Sequence, residues 1–279
     1  LVIAVTQSGT TTDTNRAVDL AKKRGAYTLA IVNRRNSHLT TMVDGVFYTS
    51  DGRDIEMAVA STKAFYGQVC AGEILTLALA QLLNKITPEE TIRRVSALQR
   101  LPTLLEEVLA QEPQIAKLAG QWATRYQHWA VVGSGANRIA AEEVRIKLSE
   151  LCYKSIACDS VEDKKHIDLS SEPMIVVCAA GMSDYVMGDL IKDVAIFKAH
   201  RAAPNVIGHQ GETRFAPYAA GIIYVPKADP LSSLILNTIA GHLFGYHAAC
   251  SIQAQSLWPA WSGDSRSTSC RNMLMRVSA

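Results

Sequence analysis

The chain has 279 residues, 48% hydrophobic, 19% charged and 6% aromatic, with 28 Lys plus Arg against 26 Asp plus Glu and a formal net charge of +2. That length allows one large domain or two modest ones, each with its own core, and the apolar content excludes a disordered chain. The near-neutral balance leaves no electrostatic footprint for nucleic acid and no polybasic patch for a membrane, and no apolar run reaches the ~18 residues of a spanning helix.

Six cysteines (70, 152, 158, 178, 250 and 270) form no CxxC pair, and most sit in apolar runs such as Met174–Cys178. This points away from a disulfide framework or a zinc site and toward a reducing, cytoplasmic compartment. The histidines show no metal-ligand spacing, and His242 and His247, five apart on a helix, face different directions. No metal is expected.

Leu1–Thr6 already reads as a buried strand, so the expectation is a fragment of a longer protein. Helix follows over Thr12–Arg24 with Gly25 as its stop, then strands Tyr27–Val32 and Gly45–Tyr48. Ser61–Asn84 reads as one long helix, apolar nearly all round and therefore buried, in the domain or against a partner chain. Thr87 with Pro88 suits an N-cap and first helical position. Helical patterns continue to about Arg125, with new starts expected at Pro102 and Pro113.

The alternation then restarts: strand Trp129–Val132, helix Asn137–Leu151, strand Ser155–Cys158, strand Met174–Ala179 and helix Ser183–His200. Strands Asn205–Gly208 and Gly221–Val225 and helix Leu231–Ser251 complete it. The pattern predicts an α/β protein of two parallel-sheet units with helices on both faces, because the strands are apolar throughout rather than alternating. The expected division is a first unit over 1–86, a helical connector over 87–126, a second unit over 127–252 and a tail over 253–279.

Between the first strand and its helix lies Thr6-Gln-Ser-Gly-Thr-Thr-Thr-Asp-Thr14. Gly9 permits a tight turn, the helix N-terminus presents free N–H groups, and the hydroxyls of Thr6, Ser8, Thr10, Thr11 and Thr12 gather there. No lysine or Walker pattern is present, so a neutral cradle for one phosphoryl group on a small molecule is one reading. A Ser/Thr cluster that only caps a helix is the other. Ser61 and Thr62, opening the long helix, pose the same choice.

Gly133 and Gly135 make a partial dinucleotide fingerprint, but Arg138 occupies the third glycine position, and that reading is rejected. Glu143, Lys147 and Glu150 share one helical face. They form either a solvated ion-pair ladder or a carboxylate general base with an ammonium beside it. His166, in the polar run Glu162–His166, is either simply exposed or a proton shuttle.

These segments resemble the tandem SIS (sugar isomerase) half of the glutamine–fructose-6-phosphate aminotransferase family, over about 250 residues from Leu1 to Ser251. Thr6–Thr14 is similar to the family's S-Q-S-G-E-T-A-D-T phosphate loop, and Val59–Phe65 reproduces V-A-S-T-K-A-F. Lys147-Leu-Ser-Glu150 and Lys165-His166 keep its K-x-x-E and K-H elements.

The resemblance implies flavodoxin-like SIS units, the first lacking its opening strand and helix. It implies that Thr6, Gln7, Ser8 and Thr11 bind the phosphate of a hexose phosphate such as fructose 6-phosphate, with Ser61 and the Val59 backbone lining the sugar. Glu150 becomes the base that moves a proton between C1 and C2, Lys147 the stabiliser of enediol charge, and His166 an aid to ring opening from the neighbouring subunit of a homodimer. No organic cofactor or metal is implied.

Three departures stand out. The family's G-E-L-K-H-G-P loop becomes Val161–Asp168 without its glycines, Met275 falls where an imine-forming lysine would stand, and no glutaminase nucleophile precedes the first strand. A sugar-phosphate-binding regulatory module and an amino-sugar-phosphate deaminase or deglycase are the rival expectations.

Overall fold

A computed structural model describes residues 1–50, 61–167 and 169–257. The chain divides into two compact units, one from Leu1 to Leu98 and one beginning at Gln99.

In the first unit three parallel strands, β1 (Val2–Thr6), β2 (Thr28–Val32) and β3 (Gly45–Tyr48), lie side by side in chain order. Helices α1 (Thr12–Lys23) and α2 (His38–Met42) close over one face, where Ala4, Val18, Ala30, Val32 and Leu39 form the core. Here β1 is an edge strand, and Ile3 and Val5, on its other face, are exposed.

Helix α3 (Lys63–Leu82) packs against β2. Only Ala71 and Leu77 of it are fully buried, whereas Ile74 and Leu82 are exposed, so within this chain it is not the all-round buried helix expected. Helix α4 (Pro88–Leu109) starts as the sequence predicts, the Thr87 hydroxyl accepting the Glu90 N–H at 3.2 Å. It then runs through Pro102 instead of restarting there. The proline costs one backbone hydrogen bond locally, and the turns on either side hold the helix together.

The second unit takes in the end of α4 and continues with α5 (Glu112–Trp122). Its five parallel strands are β4 (Trp129–Gly133), β5 (Ala157–Asp159), β6 (Met174–Cys178), β7 (Ala203–His209) and β8 (Gly221–Val225), in the spatial order β5-β4-β6-β7-β8. This is a doubly wound sheet whose strand order reverses between β4 and β6. One face packs on α7 (Val161–Lys164) and α8 (Asp184–Ala199), through Ala130, Val132, Ile175, Val177, Val161, Val194 and Phe197. The intervening residues Val131, Met174, Val176 and Cys178 are equally buried. Burial on both faces is why these strands read as unbroken apolar runs.

The short helix α7 was not foreseen. One turn carries no hydrophobic period, but Ser160 caps it, accepting the Asp163 N–H at 3.0 Å. Helix α9 (Pro230–Leu257) also extends past the expected Ser251.

Helix α6 (Asn137–Cys152) packs along α9. The contact is close because α9 offers glycine there: a Cβ at Gly241 would lie 2.3 Å from a Val144 methyl, and one at Gly245 3.0 Å from a Leu148 methyl. Asn237 of α9 adds a polar tie, donating to the Asn137 side chain at 3.2 Å and accepting the Ala180 N–H at 3.3 Å. The start of α6, the end of β6 and α9 are thereby fixed together.

Two predictions follow from this packing. Gly241→Ala lowers stability by ~1–3 kcal/mol, the overpacking outweighing the roughly 1 kcal/mol that alanine adds to a helix; the urea midpoint reads it, and an unchanged midpoint contradicts the close contact. In the first unit Asp44 accepts the N–H and hydroxyl of Thr28, both at 2.8 Å, and pairs with Lys22 at 3.1 Å. These contacts, the Thr28 N–H foremost, hold its carboxyl at about 2 against an ordinary 3.8. Its contribution is complete above the ordinary value and fades as pH falls through the lowered one. Asp44→Asn therefore destabilises near neutral pH and makes no difference below about pH 2, in paired denaturation curves.

Candidate functional site

The β1–α1 loop is built to leave donors unspent. Gly9 adopts φ +63°, and a Cβ there would lie 2.1 Å from the Ser37 hydroxyl, so only glycine fits. The turn is held from inside: Gly9 N–H donates to the Thr6 hydroxyl at 3.3 Å, and Leu39 N–H to the Gly9 carbonyl at 3.0 Å. Arg34 N–H donates to the Gln7 carbonyl at 3.1 Å, anchoring the loop to the end of β2.

Ser8 Oγ accepts from the Thr10 N–H at 3.3 Å and from the Thr10 hydroxyl at 2.9 Å. With both lone pairs engaged, its own proton is left to donate. Thr11 is the N-cap of α1 but makes no side-chain capping bond. The capping reading of this Ser/Thr cluster therefore loses its main support, and the first-turn N–H groups of α1 keep no intrahelical acceptor. Thr6 is buried, and Gln7 Oε1 is buried without a hydrogen-bond partner. Neutral donors around a helix N-terminus are a setting for an anion.

In the second unit the face of α6 carries an ammonium between two carboxylates. Lys147 Nζ lies 3.5 Å from Glu143 Oε1 and 3.5 Å from Glu150 Oε2. The side chains of Glu143 and Lys147 are 12% and 8% exposed, and that of Glu150 is 38% exposed. This is no solvated ladder: Lys147 is buried, Glu143 is mostly enclosed, and Glu150 is the exposed member. His242 of α9 approaches from the far side, Nε2 3.4 Å from Glu143 Oε1. Burial alone would raise the Glu143 carboxyl, but the neighbouring His242 and Lys147, at ion-pair distance without hydrogen-bond geometry, outweigh it and hold the group below the usual carboxylate range. Burial likewise depresses the His242 imidazole, favouring its neutral form.

His166 follows α7 and is 70% exposed, with Glu162 Oε1 3.7 Å away. Its neighbour Lys165 is the anchored one, Nζ lying 2.6 Å from Glu162 and 3.0 Å from Asp193 of α8. Glu162 and then Asp193 raise the Lys165 ammonium, and burial raises the Asp193 carboxyl. These pairs fix the loop in place of the missing glycines.

The sequence-predicted residues thus fall into three groups. Thr6, Gln7, Ser8 and Thr11 share one loop; Lys147 and Glu150 touch; His166 sits beside Glu162. Val59 lies outside the described residues. Ser61 is not a helix cap: α3 begins at Lys63 with Thr62 at the N-cap, one residue later than the sequence suggests. Sequence reasoning missed His242, which meets Glu143 across 99 positions with no local signal, and the Lys165–Asp193 pair. Among the described residues no group of three or more His, Cys, Asp or Glu is placed to hold a metal ion, and no helix is long and apolar enough to cross a membrane.

Residues 1–78 match the SIS domain. The chain is 33% identical over 254 residues to glutamine–fructose-6-phosphate aminotransferase [isomerizing] of Mycolicibacterium paratuberculosis, covering 89% of this chain and 40% of that protein. It is 31% identical over 253 residues to the enzyme of the same description from Halobacterium salinarum, covering 89% and 41%. The chain therefore spans about two fifths of the length of these relatives. Among solved structures it is similar to the C-terminal domain of glucosamine-fructose-6-phosphate aminotransferase from Francisella tularensis, with a TM-score of 0.82, 24% identity, and 90% of this chain and 71% of that one covered. Tagatose-6-phosphate ketose/aldose isomerase from Escherichia coli shares the fold at a TM-score of 0.70, with 16% identity and 89% and 67% covered.

The loop geometry makes its own prediction. Gly9→Ala lowers stability by ~1–3 kcal/mol through positive φ and the Ser37 clash together. Adding Ser37→Gly removes the clash alone and recovers only part of the loss in denaturant melts; full recovery would contradict the assigned backbone.

Proposed function

We propose that this chain, which carries a SIS domain and is folded like the sugar-isomerase region of the glutamine–fructose-6-phosphate aminotransferases, binds a hexose phosphate and interconverts its ketose and aldose forms. The observation that carries the proposal is the Glu150 carboxylate, open to solvent and 3.5 Å from a buried ammonium. The relatives' own description, isomerizing enzymes of fructose 6-phosphate, supports this choice of substrate class.

In this reading Thr6, Gln7, Ser8 and Thr11 hold the phosphate by neutral hydrogen bonds and the α1 N-terminus, with Ser61 and the Val59 backbone along the sugar. Glu150 takes the C1 proton of the open-chain ketose, exchanges it with solvent on its exposed side, and delivers a proton at C2. The negative charge that develops on the enediol oxygens is stabilised by Lys147. His166 assists ring opening, donated between subunits of a homodimer in a cytoplasmic compartment. The unit over 1–86 carries the phosphate loop and that over 127–252 the proton chemistry, with 87–126 between them in sequence. A glutaminase domain belongs to the full-length relatives' activity and lies outside what these residues do. The substitution of Met275 for the imine-forming lysine favours one second reading, a sugar-phosphate-binding module without turnover.

Millimolar fructose 6-phosphate is expected to raise the melting temperature of the wild type and of Glu150→Gln by a few degrees and to leave Ser8→Ala unmoved. Turnover to glucose 6-phosphate is expected in the wild type and is lost by about a hundredfold or more in Glu150→Gln. Binding without turnover in the wild type selects the regulatory module, and no thermal shift at all overturns the proposal.

A further inference from the structure

The geometry points to Glu143 and His242 as positioning residues for proton transfer: Glu143 is the permanent counter-charge of Lys147, and His242 holds Glu143 in place. This rests on the reading above, in which Glu150 is the base and Lys147 its neighbour. A side chain as buried as Lys147 keeps an ammonium only if an anion stays beside it. Glu150 cannot be that anion throughout, because each turn of the reaction makes it a neutral acid. At that moment Lys147 must still be charged, since the enediol it faces is then negative.

Glu143 resolves the conflict. Its carboxylate lies 3.5 Å from Lys147 Nζ, one helical turn from Lys147 on the side away from Glu150, and is itself mostly enclosed. It is too enclosed to exchange protons with solvent as Glu150 does. His242 of α9 lies on its other side, Nε2 3.4 Å away. Ammonium and imidazole flank the same carboxylate oxygen at ion-pair distance, without hydrogen-bond geometry, so the hold on Glu143 is electrostatic. The charged groups of α6 on this face are Glu143, Lys147 and Glu150. α5 also packs on α9, but its Glu112 is engaged by His247 at 3.1 Å.

The test uses the full chain with Glu143→Gln, His242→Leu and His242→Gln, read by hexose-phosphate turnover, by ligand-induced thermal shift, and by 15N-lysine NMR of the Lys147 Nζ. Glu143→Gln is expected to lower kcat by about tenfold or more with KM and thermal shift retained. It is also expected to shift and broaden the Lys147 Nζ resonance, as the ammonium loses its fixed neighbour. His242→Leu loses kcat several-fold, and His242→Gln, which keeps an N–H at a similar reach, restores most of it. An Nζ resonance unchanged in Glu143→Gln overturns the inference, as does a His242→Gln variant no better than His242→Leu. Should the wild type show no turnover, the proposed function fails, and the Nζ resonance alone decides the present inference.

Discussion

The approach of α9 to α6 is the constraint on which the second unit's chemistry depends. Two glycines, Gly241 and Gly245, let Val144 and Leu148 sit against the α9 backbone, where side chains would hold the helices apart. Closeness does two things together. It removes water from Lys147 and Glu143, so that Coulombic contacts across 3.5 Å count for more than they would in solvent. It also brings His242 within reach of a carboxylate on the neighbouring helix. An ion-pair ladder on an exposed helix would be worth a few tenths of a kcal/mol per pair and would orient nothing. The same three residues, pressed under α9, become a fixed charge array with a single open end at Glu150.

The phosphate site proposed for the first unit poses a different problem. A phosphate that must later leave favours many neutral hydrogen bonds over a buried cation, whose desolvation and attraction are both large. The β1–α1 loop follows that pattern. Its internal hydrogen bonds use the hydroxyl lone pairs of Thr6 and Ser8, which directs the Ser8 proton outward. Its glycine conformation is enforced by Ser37 and by the Leu39 N–H, both from the segment after β2. Parallel strands place that segment at the same sheet edge as the loop, so the topology itself supplies the support.

Most of the fold was legible because both of its periods are strong. The β strands of the second unit are buried on two faces and therefore unbroken in apolar character, and their ends fell within a few residues of those read from sequence. The β1–α1 loop was legible as a candidate anion site because its hydroxyls are contiguous, Thr6 to Thr14. The identity of the Glu143–Lys147–Glu150 face was legible from spacing, but its burial was not. Whether such a face meets water depends on α9, about ninety residues later, and no local pattern encodes that contact. Pro102 misled for a related reason: local propensity argues for a break, while the helix on either side of it persists.

Proton transfer through Glu150 is the centre of the account, and the fate of solvent hydrogen tests it most directly. Fructose 6-phosphate is incubated with the chain in deuterium oxide, and the glucose 6-phosphate formed is examined by NMR. The account predicts deuterium at C2 of the product, with exchange abolished when Glu150 is replaced by glutamine. Product formed without any solvent deuterium, or exchange undiminished in the glutamine variant, would contradict it.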